Sequence, residues 1–343
     1  MKLIICLAVV VFTISCSENP ELITNNNPDK YTLAKDILWA SPAGFELTMD
    51  VYTPKSGLGP YPVLVMFHGG GWLINDKSIM DQAATYLATN GAYVVCNVNY
   101  RLLSDQDNTV KLYQIVEDVF GAVLWVKANI GSYGGDPAKV AVTGDSAGGH
   151  LSAMVVNSGS ELSSRTFGDY SLGFTPSYLP AGKTAEQVAQ QNGLDVQAAI
   201  LSYGAFDIYQ AAVGGFEEMT NPFWLMSGSI ARGIFGDDVN VGDNSDLYKA
   251  VSPAYGIPLS TERRLPPQLL TVGSEDTLVT PASVKAYMGQ LRAAGQTAQY
   301  WEHEGRSHAF LDSGSNMMLG SSFEVDAPDA LDVMISFLDG VFY

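Results

Sequence analysis

The residues KVAVTGDSAGGHLSA (139–153) place a strand pattern directly before a helix pattern. KVAVTG is a β-branched run typical of a buried strand, and SAGGHLSAMVVN (146–157) has the residue spacing of a helix. Ser146 is flanked by Gly144 and Gly148, where side chains would collide across so tight a turn. The sequence therefore predicts a serine held in a strained strand-to-helix turn, beside a helix N-terminus that favours negative charge.

Strand and helix patterns alternate along the rest of the chain. Apolar runs predict further strands at 61–70, 92–101, 197–204, 267–274 and 298–305, and an alternating run that ends at a proline predicts an edge strand at 45–54. Helical spacing predicts helices at 78–91, 108–130, 281–295 and 329–342. This order predicts an α/β fold, with a mainly parallel central sheet and helices on both of its faces.

A serine in a Gly-x-Ser-x-Gly turn between a strand and a helix is typical of a nucleophile, and such a serine needs a base. Of the four histidines, His68 lies beside a glycine run, His150 points along the helix that follows Ser146, and His303 falls inside a predicted strand. His308 follows the last predicted strand, in a loop at the edge of the sheet where Ser146 is expected. We therefore predict His308 as the general base.

The acid of such a triad is expected after the preceding strand, in the chain order serine, acid, histidine. The segment LLTVGSEDTLV (269–279) offers Glu275 and Asp276. We predict Asp276, because Glu275 is longer and one step out of phase along the loop. Its carboxylate would accept a hydrogen bond from His308 and fix the imidazole tautomer. The alternative role for Asp276 is a helix cap ahead of Pro281.

A glycine run after another strand predicts the donors that acyl transfer needs. HGGGW (68–72) follows the predicted strand at 61–67. Its glycines allow backbone N–H groups to approach a substrate without obstruction by side chains. We predict an oxyanion hole made by the N–H groups of Gly70, Gly71 and Ala147.

Two long segments, 158–193 and 207–264, interrupt the alternation. Loops of this length are usually functional, and both follow predicted strands at the sheet edge where α/β folds bind ligands. The alternative is that both are structural excursions. We predict that 207–264 forms a cap, because its aromatic residues and methionine could cover an acyl pocket. The predicted pocket residues are Trp72, Phe216, Phe223, Trp224 and Met226.

The N-terminus and the charge bear on location and partners. Residues 1–15 contain an apolar run too short to span a bilayer and predict a secretory signal, and the residues around Cys16 resemble a bacterial lipoprotein processing site. We expect an exported, lipid-anchored protein facing the periplasm or the cell surface, with conventional cleavage and release to the periplasm or medium as the alternative. A tether (16–35) would precede a single domain (36–343). The net charge of −18, from 18 basic and 36 acidic residues, argues against nucleic-acid binding.

The motifs together resemble those of α/β-hydrolase esterases. They are HGGGW, NYR (99–101), YGGDPAKVAVTGDSAGGHLSA (133–153), GSEDTLV (273–279) and RSHAF (306–310). The resemblance runs from about residue 40 to 342. It is closest to the carboxylesterase group with hormone-sensitive-lipase-like enzymes and Bacteroides-type feruloyl and acetyl esterases. It implies an α/β-hydrolase fold with a cap-like insertion, and hydrolysis of short-chain or aromatic esters, including polysaccharide-linked ones, with no metal or cofactor.

The chain departs from that group in places, and other functions stay open. Asn75-Asp76-Lys77 stands where the group often has Gly-Asp-Lys, and the two insertions follow no pattern of the group. One alternative is a serine peptidase or amidase of the same fold, and another is a non-catalytic carbohydrate-binding relative. A third is a metal site built from Glu302, His303, Glu304 and His308.

Overall fold

The computed structural model describes residues 30–160, 162, 166–167, 170–171, 173–317 and 319–343. The predicted signal (1–15), Cys16 and the predicted tether up to residue 29 lie outside these ranges. Among the described helices, none has both the length and the apolar character needed to cross a membrane.

The described elements follow the alternation that the sequence predicts. The strands are β1 (Tyr31–Ala40), β2 (Leu47–Pro54), β3 (Tyr61–Phe67), β4 (Val94–Val98), β5 (Gly135–Asp145), β6 (Thr166–Phe167), β7 (Tyr170–Ser171), β8 (Ala198–Ser202), β9 (Gln268–Gly273), β10 (Ala298–His303), β11 (Ser315–Asn316) and β12 (Ser321–Ser322). The α-helices are α1 (Asp81–Asn90), α2 (Asp105–Asn108), α3 (Leu112–Asn129), α4 (Ala147–Ser158), α5 (Ala185–Gln190), α6 (Ile208–Val213), α7 (Pro222–Ser227), α8 (Ser245–Ala250), α9 (Pro281–Ala293) and α10 (Phe323–Phe342). Short 3₁₀ helices lie at Pro42–Gly44, Lys77–Met80, Ile130–Tyr133 and Pro253–Tyr255.

Eight strands form one central sheet in the order β1-β2-β4-β3-β5-β8-β9-β10. Strand β2 is antiparallel to both of its neighbours, and every pair from β4 to β10 is parallel. The parallel strands are almost wholly apolar and buried, as expected of strands covered on both faces. The predicted mainly parallel α/β sheet is confirmed.

Helices cover both faces of this sheet because the crossovers run in opposite directions. The chain moves from β3 through α1 to β4 in one direction, and from β4 through α3 to β5 and through α4 to β8 in the other. Right-handed crossovers in opposite directions place α1 on one face and α3 and α4 on the other. Helix α10 packs against α1, and α3 packs against α4. All the parallel strands therefore end at one edge, and the loops there can meet.

The first strand corrects two predictions. Strand β1 begins at Tyr31, inside the predicted tether, and it occupies the edge of the sheet that 45–54 was expected to form. Its sequence does not alternate, because the pairing with β2 shifts between Ala34 and Ile37 and Asp36 lies in the left-handed region with φ of +52°. A bulge of this kind breaks the period of two by which strands are recognised in a sequence.

The last helix also begins earlier than the sequence predicts. Helix α10 starts at Phe323 and contains Pro328, whereas the predicted helix starts only after that proline, at 329. A proline inside a helix removes one backbone hydrogen bond, so the sequence pattern favours a start beyond it. The apolar face of α10 compensates, since Phe323, Ala327 and Ala330 are all buried.

The first insertion is tied to α3 through buried polar contacts. The Arg101 guanidinium forms an ion pair with Asp118 at 2.7 Å, and both side chains are almost fully buried. The Ser177 hydroxyl donates to the same carboxylate, and the Thr175 N–H donates to Glu117 Oε1 at 2.8 Å. Residues 175–177 therefore donate hydrogen bonds to two adjacent carboxylates. Asp118 is paired with Arg101, whereas the ion pairs of the described residues include none to Glu117.

Glu117→Gln is expected to make unfolding less dependent on pH. Burial raises the pKa of Glu117 to about 7, an effect that the Thr175 N–H partly offsets. Because the folded pKa lies above the unfolded value, the folded state binds the extra proton and wild-type stability falls as pH rises towards 7. The glutamine side chain still accepts a hydrogen bond from the Thr175 N–H but carries no charge. As pH rises from 5 to 8, we therefore expect the free energy of unfolding of the variant to increase relative to that of wild type by on the order of 2 kcal/mol. Urea unfolding at both pH values measures this, and a pH-independent difference would contradict it.

The second insertion, 207–264, contains α6, α7 and α8 and is anchored by one arginine. Arg232 donates to the carbonyl oxygens of Asn108, Leu103 and Val110 at 2.6, 2.8 and 2.6 Å. These carbonyls belong to the loop after β4, at the edge where the parallel strands end. The arginine therefore fixes this insertion over that edge of the sheet.

Candidate active site

Ser146 occupies the turn between β5 and α4 with φ of +50° and ψ of −114°. This is a region that residues with a side chain rarely adopt, and it is typical of functional turns. A side chain on Gly148 would place its Cβ 1.9 Å from the carbonyl oxygen of Phe67, and one on Gly144 2.3 Å from that of Gly148. The Ser146 N–H donates to the Ser202 carbonyl at 2.9 Å. The two glycines and the pairing with β8 therefore hold the turn in its strained form.

The structure brings the three predicted triad residues together. His308 Nε2 lies 3.0 Å from Ser146 Oγ, and His308 Nδ1 lies 2.7 Å from Asp276 Oδ2. All three side chains are buried. Because the ionised Asp276 can only accept, Nδ1–H donates to it and Nε2 is left to accept the Ser146 hydroxyl proton.

Asp276 is fixed by its second oxygen as well. Asp276 Oδ1 accepts the N–H groups of Leu278 and Val279, both at 2.9 Å. The alternative role as a helix cap is wrong, because Thr280 caps α9 and accepts from the Ser283 N–H. Glu275, the other acid in this loop, is exposed.

The remaining histidines are held by structural contacts. His68 stacks on Tyr100 with ring centroids 4.3 Å apart, and His150 accepts from Trp72 Nε1 at 3.1 Å and bonds the Val251 carbonyl at 2.7 Å. Burial lowers the pKa of both His68 and His150 to about 4, so both stay neutral. His150 is a packed helix residue, as the sequence predicts.

The residues of the alternative metal site have other partners. His303 Nε2 bonds the Asp326 carbonyl at 2.8 Å, and Glu302 forms an ion pair with Lys285 at 2.6 Å. His308 belongs to the triad. In the ranges that the structure describes, no group of three or more histidine, cysteine or acidic side chains is arranged to hold a metal ion. Cys96 is a free, buried thiol on β4.

The glycine loop after β3 turns through the left-handed region at three consecutive residues. Gly70, Gly71 and Trp72 have φ of +120°, +59° and +60°. A Cβ on Gly70 would lie 2.2 Å from the Ile74 carbonyl oxygen, so a side chain is excluded there. Over the described residues, the N–H groups of Gly70, Gly71 and Ala147 have no protein acceptor. Free N–H groups beside a nucleophile are what an oxyanion hole requires.

The sequence model of the BD-FAE family matches residues 49–291, which include the glycine loop, Ser146 and Asp276. The chain belongs to the BD-FAE family. Among curated relatives of this BD-FAE protein, esterase LipQ of Mycobacterium tuberculosis is 30% identical over 273 residues, 78% of this chain and 55% of LipQ. Carboxylesterase NlhH of the same species is 33% identical over 136 residues, 40% of each chain. The chain spans about half the length of the curated relatives it matches.

Solved structures share the fold of the BD-FAE chain. An esterase of the planctomycete Thermogutta terrifontis superposes with a TM-score of 0.62 at 20% identity, covering 94% of each chain. A truncated carbohydrate esterase from gut microbiota gives a TM-score of 0.66 at 20% identity, covering 91% of this chain and 97% of that one. The α/β-hydrolase fold is thereby confirmed, and so is the resemblance to esterases of that fold.

Three of the five predicted pocket residues of this BD-FAE protein lie at or beside the glycine loop. Trp72, within the loop, contacts Phe216 edge to face with centroids 5.4 Å apart. The Phe223 ring lies directly against Gly71, so that a Cβ on Gly71 would be 2.5 Å from the ring. Trp224 is fully buried and its indole N–H donates to the Phe216 carbonyl, so it cannot line a pocket.

Met226, the fifth predicted pocket residue, is 49% exposed on α7. The helix has only six residues, and its rotation turns Trp224 into the interior and Met226 towards solvent. The prediction for Trp224 is wrong, because an aromatic-rich stretch does not reveal which side of a short helix faces the sheet. The role of Met226 in the pocket stays a prediction.

The sequence does not single out Tyr203, Asp145 or Asp312, which the structure places around the triad of this BD-FAE protein. Tyr203 follows β8, is fully buried, and meets the His308 ring edge to face at 4.8 Å. Its position after a parallel strand is the signal that could have found it, because all such loops share one edge. Asp145 directly precedes Ser146, and Asp312 lies in the loop after His308.

Proposed function

We propose that this BD-FAE protein hydrolyses carboxylic esters through an acyl-enzyme formed on Ser146. The observation that carries the proposal is the chain of two hydrogen bonds from Ser146 Oγ through His308 to Asp276, at 3.0 and 2.7 Å, beside free backbone N–H groups. This arrangement is the one that acyl transfer by a serine needs. Several relatives are named esterases or carboxylesterases, which supports the same reaction class.

In the proposed mechanism each group has its own task. His308 Nε2 takes the Ser146 hydroxyl proton while Oγ attacks the ester carbonyl, and the carbonyl oxygen becomes an oxyanion held by the N–H groups of Gly70, Gly71 and Ala147. The intermediate collapses, the C–O bond to the alcohol breaks, and His308 gives its proton to the departing oxygen. Water then adds to the acyl-enzyme with His308 again as base, and the acid leaves Ser146 free.

The proposed substrates are short-chain or aromatic esters, of acetyl or feruloyl type, including esters carried on polysaccharides. Phe223 and Trp72 place flat aromatic surfaces at the glycine loop, which favours compact or planar acyl groups there. One structural neighbour is described as a carbohydrate esterase, which supports the polysaccharide-linked class. Export and a lipid anchor at Cys16 belong to the same proposal and rest on residues 1–16 alone.

A panel of esters tests the proposal and its substrate class. We expect p-nitrophenyl acetate and butyrate to be hydrolysed with the highest kcat/KM. Methyl ferulate and acetylated xylan should also be hydrolysed. The p-nitroanilides of the same acids should react at least tenfold more slowly, because the amine leaves less readily. Best turnover beyond about eight carbons would contradict the short-chain assignment. Faster anilide hydrolysis would favour the peptidase or amidase alternative.

The non-catalytic carbohydrate-binding alternative is tested by active-site labelling. A fluorophosphonate reacts only with an activated serine. We expect one equivalent to attach at Ser146. Failure of the folded protein to react, together with binding of xylan, would favour the alternative.

A further inference from the structure

Two carboxylates beside the triad take no part in the steps above. Asp145 directly precedes Ser146 and is only 2% exposed, and its buried Oδ1 has no hydrogen-bond partner among the residues that the structure describes. Asp312 is half-buried in the loop that follows His308. A buried carboxylate with an unsatisfied oxygen is costly, so its presence next to a nucleophile calls for a functional reason.

Asp145 packs against the first glycine of the loop that carries the oxyanion donors. A Cβ on Gly69 would lie 2.3 Å from Asp145 Oδ2, so only glycine allows this contact. The Gly69 N–H stabilises the ionised form of the carboxylate. Gly70 and Gly71 follow immediately with φ of +120° and +59°, so a displacement of Gly69 is carried into them by the chain. The charge on Asp145 therefore bears on the position of the oxyanion donors.

Asp312 lies in the loop that follows His308, next to a residue that contacts Tyr203. The Leu311 N–H donates to the Tyr203 hydroxyl at 3.2 Å, and the Asp312 N–H donates to the Ala309 carbonyl at 3.2 Å. Burial and the charge of Asp145 raise the pKa of Asp312 well above its ordinary value.

The other titratable groups around Asp145 are neutral. They come from the loops after three parallel strands: His68, Tyr100 and Tyr203. Burial lowers the pKa of His68 to about 4 and raises those of both tyrosines. Burial raises the pKa of Asp145 itself to about 6, and the charge of His308 works against that rise. The imidazolium of His308 is thus the cation with which the Asp145 charge interacts.

We propose that Asp145 is a positioning residue for the hydrolysis that acts only as a carboxylate, holding Gly69 of the oxyanion loop and favouring the imidazolium of His308. The inference rests on the proposed function. Protonation of Asp145 removes both effects. Activity should therefore decline as pH falls through about 6.

The test compares Asp145→Asn with wild type from pH 5 to 8.5, using p-nitrophenyl acetate. Asparagine keeps the size of the side chain and loses the charge. We expect kcat to fall about tenfold at pH 8 with KM little changed, and the wild-type to variant ratio to approach one at pH 5. A ratio that does not change with pH would overturn the proposal.

Two further measurements separate positioning from a structural role. Because the folded pKa of Asp145 is raised, its ionised form costs stability above pH 6, so Asp145→Asn should unfold no earlier than wild type at pH 8. Loss of stability together with loss of activity would indicate a structural role. Asp312→Asn makes the same chemical change at the nearby carboxyl group that does not pack against Gly69, and it should alter kcat less than threefold. An effect as large as that of Asp145→Asn would overturn the specific role of Asp145.

A measurement on unaltered protein covers the case in which Asp145→Asn does not fold. Carbon-13 carboxyl shifts of aspartate-labelled wild type, followed from pH 4.5 to 8, should show a buried aspartate that titrates near pH 6. Absence of any such aspartate would overturn the proposal. If wild type shows neither ester hydrolysis nor fluorophosphonate labelling, the proposed function itself fails. If wild type is active but no aspartate titrates near pH 6, only the proposal for Asp145 fails.

Discussion

Ser146→Ala is expected to lower kcat for p-nitrophenyl acetate by about 10⁶-fold, the scale of loss when a triad serine is removed. The variant loses the hydroxyl oxygen that lies 3.0 Å from His308 Nε2 and would attack the ester, while the bond from His308 to Asp276 is untouched. The thermal midpoint should stay close to that of wild type, because alanine fits the space of the serine. Steady-state kinetics and circular dichroism measure the two quantities, and fluorophosphonate labelling should disappear.

Ser152→Ala is the matched control for this loss. Ser152 lies on the same helix α4, is fully buried, and its Oγ has no hydrogen-bond partner. The same chemical change there should leave kcat within about twofold of wild type, since a hydroxyl that makes no hydrogen bond contributes little. Activity of Ser146→Ala above about one percent of wild type would mean that the nucleophile lies elsewhere.

The triad could be predicted from the sequence because each member is set by local features. Ser146 is defined by two glycines that a close approach to backbone requires, and these are visible without any tertiary information. His308 follows by exclusion, since His150 and His303 lie within helix and strand patterns and His68 lies beside the glycine run. Loops after parallel strands meet at one edge, so the order of elements brings residues 146, 276 and 308 together.

What the sequence could not predict depends on long-range packing. The register shift in β1 removes its alternation, so the edge strand is invisible to a pattern of period two. The rotation of α7 is set by where Trp224 buries its ring, so Phe223 reaches Gly71 while Met226 does not reach the interior. Asp145 shows the same limit, because a charge beside a serine in the sequence does not reveal that its carboxylate is buried against Gly69.

Asp276→Asn is expected to lower kcat by about 10⁴-fold with the fold intact, because it reverses the imidazole tautomer. The asparagine Oδ1 can still accept the N–H groups of Leu278 and Val279, which directs its NH₂ group towards His308 Nδ1. Nδ1 must then accept, the proton moves to Nε2, and Nε2 can no longer take the proton of Ser146. Steady-state kinetics at pH 8 measure the loss.

Glu275→Gln provides the control for Asp276→Asn, because it removes a charge from the adjacent residue without touching the triad. Glu275 is exposed, and its backbone N–H donates to the Arg306 carbonyl in either form. We expect kcat within about twofold of wild type, since the charge of an exposed side chain is screened by solvent. If Glu275→Gln lost as much activity as Asp276→Asn, Asp276 would act through the total negative charge of the loop and not through its hydrogen bond to His308. If only Asp276→Asn is impaired, then Asp276 acts by fixing the tautomer of His308.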